Sequence, residues 1–427
     1  MGITKFIKKF IPKGVWRIIH LNRVYLTDYA QYQHKYAEKV KELRVSNRPI
    51  RVIFQVQYSA MWKCESIYRK MEQDNLFDPM ILVCPVVDKG MCHREETLKN
   101  TYAYFKERNY RVVPIPIEAS AEGKELSYFK PDIVFYCDPY ECALGKCYQL
   151  KNNTQYLSCY TGYGYNSVPN SFTFDTPFHR MLWKFFIECY ENKKLPQKYS
   201  PTLGRNCVVS GYPLYDEFKT KMEQKCINEG KVKRIIWAPH HTIEGDDQFL
   251  KFSTFLMIAD KMLELAGQYS EDIQIAFKPH PELKWALYKH SKWGKDRTDN
   301  YYAQWAKGSN TTLETGEYVN LFVQSDAMIH DCGSFLVEYL YVNKPVMFMT
   351  NYNRESQCNE VGKKALRCHY HGKSVEDIEA FIKNVVIGGE DTMKGVRSEF
   401  YNNILVPPNG KSVAENIVDC IKKELHK

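Results

Sequence analysis

Two short segments carry residue types suited to gripping a phosphate. Ile273-Gln274-Ile275-Ala276-Phe277 predicts a buried strand that runs into Lys278-Pro279-His280-Pro281, where prolines on either side of His280 keep the backbone extended. An imidazole fixed there can donate a hydrogen bond to a phosphate oxygen, and Lys278 adds positive charge. Asp326-Ala327-Met328-Ile329-His330 predicts a second strand, leading through Asp331-Cys332-Gly333-Ser334 into Phe335, Leu336, Tyr339 and Leu340 at helical spacing. Gly333 and Ser334 then open a helix, where unpaired N–H groups and the dipole favour an anion. Glu338, one turn further in, is placed to accept from a ribose hydroxyl.

These segments need a scaffold that brings strand ends together, and the rest of the chain predicts one. Strands are expected at Ile50 to Gln57, Met80 to Cys84, Arg111 to Ile115, Ile133 to Tyr136, Gln155 to Cys159 and Asn206 to Val209, with helices at 61–73, 94–108 and 177–190. After a polar linker at 223–233, strands follow at Ile235 to Ala238, Ile273 to Phe277, Ala327 to Ile329 and Val346 to Met349. Helices are expected near 251–267, 334–342, 374–386 and 412–424. Strand and helix alternate in both halves, so each half is expected to be a parallel sheet covered on both faces. Ligands of such sheets sit beyond the carboxyl ends of the strands, where both phosphate segments fall.

At 427 residues the chain is too long for one core. The expected division is a basic helical leader at 1–45, a Rossmann-like acceptor domain at 46–225 and a Rossmann-like donor domain at 226–427. A hydrophobic content of 44% with 26% charged residues excludes a disordered chain.

The net charge of +9 is concentrated early: Lys5, Lys8, Lys9, Lys13, Arg17 and Arg23 occur before residue 28 with no acid among them. Ile3, Phe6, Ile7 and Phe10 form an apolar helical stripe beside them, as expected of a helix lying in an anionic membrane surface. A helix packed on the protein body with solvated lysines is the alternative. No run reaches the roughly 18 to 20 apolar residues needed to cross a bilayer. Fourteen cysteines without zinc spacing point to reduced thiols in a cytoplasm. No metal is expected, either at Cys137, Cys142 and Cys147 or at Glu244-Gly245-Asp246-Asp247, and no other cofactor is expected. Nucleic acid is not an expected partner, because the basic residues are not interleaved with aromatics on one element.

The order of five segments resembles the CDP-glycerol glycerophosphotransferases of teichoic-acid-like polymer synthesis. These are Ser210-Gly211-Tyr212-Pro213-Leu214-Tyr215-Asp216, Ile236-Trp237-Ala238-Pro239, Lys278-Pro279-His280-Pro281, Asp331 to Glu338 with Asn343-Lys344-Pro345-Val346, and Asn409-Gly410-Lys411-Ser412. The resemblance covers residues 205–425 and implies the GT-B fold, two Rossmann-like doubly wound domains facing a cleft. It implies donor contacts from Lys278, His280, Asp331, Gly333, Ser334, Glu338, Lys411 and Ser412. It also implies transfer of glycerol phosphate, or a related alditol phosphate, from a CDP-activated donor to a hydroxyl of a lipid-linked or cell-surface polysaccharide. CMP is released, and the protein sits peripherally on the inner face of the membrane.

Two departures stand out. The family's Pro-Thr-Trp-Arg type segment is replaced by Ala238-Pro239-His240-His241-Thr242, and its His-Gly-Thr segment by Cys159-Tyr160-Thr161-Gly162-Tyr163-Gly164-Tyr165. The base that activates the acceptor is therefore open among His240, His241 and His179, with His280 also in the catalytic set. Two other functions compete: a GT-B glycosyltransferase using a nucleotide sugar in capsule or lipopolysaccharide synthesis, and a non-catalytic binder of anionic polymer or lipid.

Overall fold

Short apolar runs of Val, Ile, Phe and Tyr bounded by turns become strands, and all of them pair in parallel. The computed structural model describes residue 15 and residues 29–117, 125–224, 232–243, 253–350 and 355–427. The basic leader, most of the polar linker and Glu244 to Asp247 lie outside the described residues.

The first sheet contains β1 (Ile50–Val56), β2 (Phe77–Val83), β3 (Val112–Pro114), β4 (Ile133–Tyr136), β5 (Leu157–Thr161), β6 (Lys184–Ile187) and β7 (Cys207–Val209). Its order is β3-β2-β1-β4-β5-β6-β7. The second contains β8 (Lys233–Ala238), β9 (Ile273–Phe277), β10 (Thr311–Leu313), β11 (Ala327–His330), β12 (Val346–Met349) and β13 (Tyr370–Gly372), ordered β10-β9-β8-β11-β12-β13. Both are doubly wound, with the strand order reversing between β1 and β4 in one sheet and between β8 and β11 in the other. Loops leaving such a pair diverge to opposite faces and open a crevice at the carboxyl edge.

Three departures from the sequence expectation have clear causes. The helix expected over 177–190 is a short helix at Pro177–Met181 followed by β6. The run Lys184-Phe185-Phe186-Ile187 is buried and too brief for its period to declare itself. Strands β10 and β13, of three residues each, escaped for the same reason. The helix expected from Met61 forms only over Glu65–Glu72.

The chain packs as two compact units. One runs to Gly164, resumes over Asn170–Asp216 and closes with Pro407–Lys427; the other takes Tyr165–Pro169 and Glu217–Val406. The break near 226 thus falls earlier, and the last residues belong with the first unit rather than the second. Asp216 is the cause: its carboxylate accepts the N–H groups of Val413 and Ala414 at 2.9 Å each and so holds the start of the helix Val413–Leu425. Lys422 pairs with Asp74 at 2.5 Å along the same helix.

The helix Ala30–Val45 also belongs to the first unit's body. Tyr36 is buried, with its hydroxyl 2.7 Å from Ser158 Oγ and donating to the Met181 carbonyl at 2.6 Å. A membrane role is left to residues before it. In the second unit, an aromatic core stacks Trp237 on Phe277 at 4.9 Å and on Phe255 at 5.7 Å, fixing β8 against β9.

Candidate active site

The loops after β8, β9 and β11 meet at the carboxyl edge of the second sheet. Backbone pairing continues past the strand ends: Lys278 N–H donates to the Trp237 carbonyl at 2.8 Å, and His280 N–H to that of Pro239 at 3.0 Å. The prolines beside His280 remove competing donors, so its ring is held next to the chain that follows β8.

Three imidazoles result where the sequence foresaw them singly. Ring centroids are 4.2 Å apart for His240 and His241, 4.2 Å for His241 and His280, and 5.0 Å for His240 and His280. Each offers a nitrogen within 4.8 Å of the other two, the one such cluster of metal-ligand type among the described residues.

The hydrogen bonds decide what the cluster suits. His280 Nδ1 accepts the Glu282 N–H at 3.1 Å, and His240 Nδ1 accepts the Thr242 N–H at 3.3 Å. A neutral ring whose Nδ1 lone pair is taken carries its proton on Nε2, where it donates. Metal-bound histidines show the reverse, with the other nitrogen donating to a carbonyl or carboxylate. The pattern therefore fits an anion better than a metal. Burial lowers His280 to about 4, with the neighbouring His241 adding to the effect, and burial lowers His241 as well. Both rings are neutral donors near pH 7.

Asp331 has a different task from the donor contact expected of it. It is buried, Oδ1 accepting the His240 N–H at 2.6 Å and Oδ2 accepting the Thr254 N–H at 2.6 Å and hydroxyl at 2.9 Å. Both oxygens are occupied in clamping the loops after β8 and β11 and the start of the helix Phe255–Gln268. Burial raises the carboxyl to about 6 against these bonds. Thr254 gave no sequence indication, because its partner is far along the chain.

Glu338 is likewise enclosed, accepting from the Tyr318 hydroxyl at 2.6 Å, so a ribose would have to compete with that phenol. Lys278 is buried, with Nζ donating to the Gly316 carbonyl at 2.8 Å.

Ser334 is exposed and its hydroxyl makes no cap bond. The helix it opens is shorter than expected, an α-turn at Phe335–Glu338 tightening into a 3-10 turn at Tyr339–Val342. Its first N–H groups, of Phe335 and Ser334, lean on the buried Cys332 sulfur, whose thiol burial still pushes up to about 11. The anion-attracting end is thus weaker than a full helix would give.

Lys411 and Ser412 lie in the other unit. Ser412 forms a capping box with Glu415, and Lys411 pairs with Asp419 at 2.7 Å, so each has a local structural role. His179, the alternative base, is buried inside a cap with Thr176, and burial lowers it to about 3.

The chain matches the family model described as CDP-Glycerol:Poly(glycerophosphate) glycerophosphotransferase over residues 193–423, more than half its length. The chain belongs to this family. As a glycerophosphotransferase it is a transferase enzyme with CDP-glycerol as donor. No curated protein matches it in sequence.

Among solved structures it is similar to the wall teichoic acid polymerase TagF, at 13% identity and a TM-score of 0.57, covering 100% of this chain and 99% of that one. It is also similar to the UDP-GlcNAc 2-epimerase of Neisseria meningitidis, at 14% identity and a TM-score of 0.55, covering 88% and 100%. At these identities the likeness establishes the shared GT-B-like α/β fold. No helix among the described residues is long and apolar enough to cross a membrane.

Proposed function

We propose that this glycerophosphotransferase moves glycerol phosphate, or a related alditol phosphate, from its CDP-activated donor to a hydroxyl of a lipid-linked or cell-surface polysaccharide, releasing CMP. The acceptor hydroxyl attacks the distal phosphorus, and the P–O bond to the CMP phosphate breaks. The observation that carries the site assignment is the three-imidazole cluster at the switch point of the second sheet, with two of its rings held as Nε2–H donors.

In this reading His280, His240 and His241 donate to the pyrophosphate, and the free hydroxyl of Ser334 with Gly333 lines its other side. Strands lie roughly 5 Å apart, so the ends of β9 and β11, flanking β8, are about 10 Å apart. A pyrophosphate with its ester oxygens bridges much of that span. Water exclusion and fixed donors favour the charge that develops on the leaving phosphate.

Attachment to the inner face of the membrane, in wall or capsule polymer synthesis, is part of the proposal. The early run of six Lys and Arg without an acid and the free cysteines support it. Incubation with radiolabelled CDP-glycerol, CDP-ribitol and a panel of nucleotide sugars tests the donor. Label transferred only from a nucleotide sugar would end this reading.

A further inference from the structure

The histidines leave the proton of the acceptor hydroxyl without a taker. His179 is enclosed in its cap, and His240 and His280 have their Nδ1 lone pairs engaged by backbone N–H groups. His241 keeps its own Nδ1 buried, where no substrate reaches it. The first sheet offers another group at the corresponding edge. Beyond β4, beside the point where that sheet's order reverses, stands Asp138.

Its Oδ1 accepts the Tyr140 N–H at 2.5 Å, which fixes the carboxylate, and Oδ2 makes no hydrogen bond among the described residues. An aromatic wall stands beside it, the Tyr140 and Tyr163 hydroxyls being 2.7 Å apart and their rings 5.9 Å apart edge to face. Tyr163 lies between Gly162 and Gly164, in the stretch that replaces the family's His-Gly-Thr segment. A Cβ on Gly164 would meet nothing within 4 Å, while one on Gly162 would sit 3.2 Å from Glu188 Oε1. The loops after β4, β5 and β6 thus assemble two carboxylates, two phenols and an open glycine edge. That set suits a polyol, whose hydroxyls donate to carboxylates while its carbon face lies on a ring.

We infer that Asp138 is the proton acceptor for the polymer hydroxyl, an assignment that rests on the transferase reading above. The hydroxyl proton passes to the carboxylate as the oxygen bonds to the distal phosphorus; the bond to CMP breaks with its electron pair leaving on CMP, and Asp138 then releases the proton to solvent. The groups facing Asp138 are Asp88, Cys137, Tyr140, Tyr160 and Tyr163. Burial raises its carboxyl to about 6, with Asp88 adding to the effect, so it is ionised at neutral pH yet basic enough to take a proton.

The test is Asp138→Asn, whose amide oxygen still accepts from Tyr140. Transfer from CDP-glycerol to a polyol phosphate should fall roughly 100-fold to 10,000-fold, and the loss of rate below about pH 6 should vanish. The rise in melting temperature on adding CDP-glycerol should persist. Asp138→Glu, which keeps a carboxylate, should recover part of the rate and retain the acid limb; a flat profile there counts against the assignment. A wild-type rate and profile in Asp138→Asn overturns it alone, whereas no transfer by the unaltered chain overturns the donor reading and this assignment with it.

Discussion

Asp331 accepts the backbone N–H of His240 at 2.6 Å, joining the loop after β11 to the loop after its neighbour β8. The imidazole cluster is therefore held from behind by a carboxylate that need not touch substrate. Asp331→Asn turns an NH₂ toward at least one of the three donors it now faces. The expected cost is about 2–4 kcal/mol of stability in the second unit, read by urea unfolding. A loss of activity with unchanged stability would point instead to direct contact with the donor.

His280→Ala removes one Nε2–H donor without touching the core. Transfer should drop by roughly 10-fold to 100-fold, and the stabilisation by CDP-glycerol should shrink while the apo melting temperature stays put. Ser334→Ala should act in the same direction. Unchanged turnover in both variants would remove the pyrophosphate from this edge of the sheet.

Donor affinity should be nearly independent of pH between 8 and 6. A phosphate usually draws a proton onto a nearby imidazole, but here a second proton would have to displace the Glu282 N–H from His280 Nδ1. Burial already holds that ring at about 4. Calorimetry of CDP-glycerol binding in buffers of different ionisation enthalpy should show no proton uptake. Tightening on acidification, with uptake of a full proton, would mean that the cluster grips as imidazolium.

The fold should weaken on mild acidification. His179, His280 and His330 are lowered to about 3, 4 and 3 by burial, and His369 is lowered as well. Their contribution is fully present above pH 6.5 and is lost as pH falls toward those values. Asp138 and Asp331, raised to about 6, act oppositely, contributing fully below about pH 3.8 and losing that as pH rises through 6. With four rings against two carboxyls, the melting temperature should fall between pH 6.5 and 4. A curve that is flat or rising over that interval would contradict this balance.

Arg397 is fully buried and paired with Asp391, with Nε and Nη1 lacking partners. Asp391→Ala strands that charge and should cost about 3–5 kcal/mol, whereas Arg397→Met, which removes the charge, should cost less. Equal losses in chemical denaturation would show that packing, not charge, sets the difference.

The strands and the sequence positions of the imidazoles were legible because each strand is a compact apolar run ending in Pro, His or Gly. Ile273–Phe277 and Val346–Met349 have the predicted limits. The union of His240, His241 and His280 was not legible, since it depends on β8 lying beside β9. Roles failed where a polar residue had a private partner: Asp331 with Thr254, Glu338 with Tyr318, and Ser412 with Glu415. A carboxylate or hydroxyl in a motif shows its chemistry, but only the fold shows which neighbour has already used it.

The helix Val413–Leu425 docks through Asp216 onto the first unit, although the whole second unit intervenes in the chain. Translation therefore delivers the later unit complete while the earlier one still waits for its last piece. A nascent chain stalled before residue 407 holds Asp216 with no helix start to receive, and the side of Glu65–Glu72 that this helix covers stays open to water or to a chaperone.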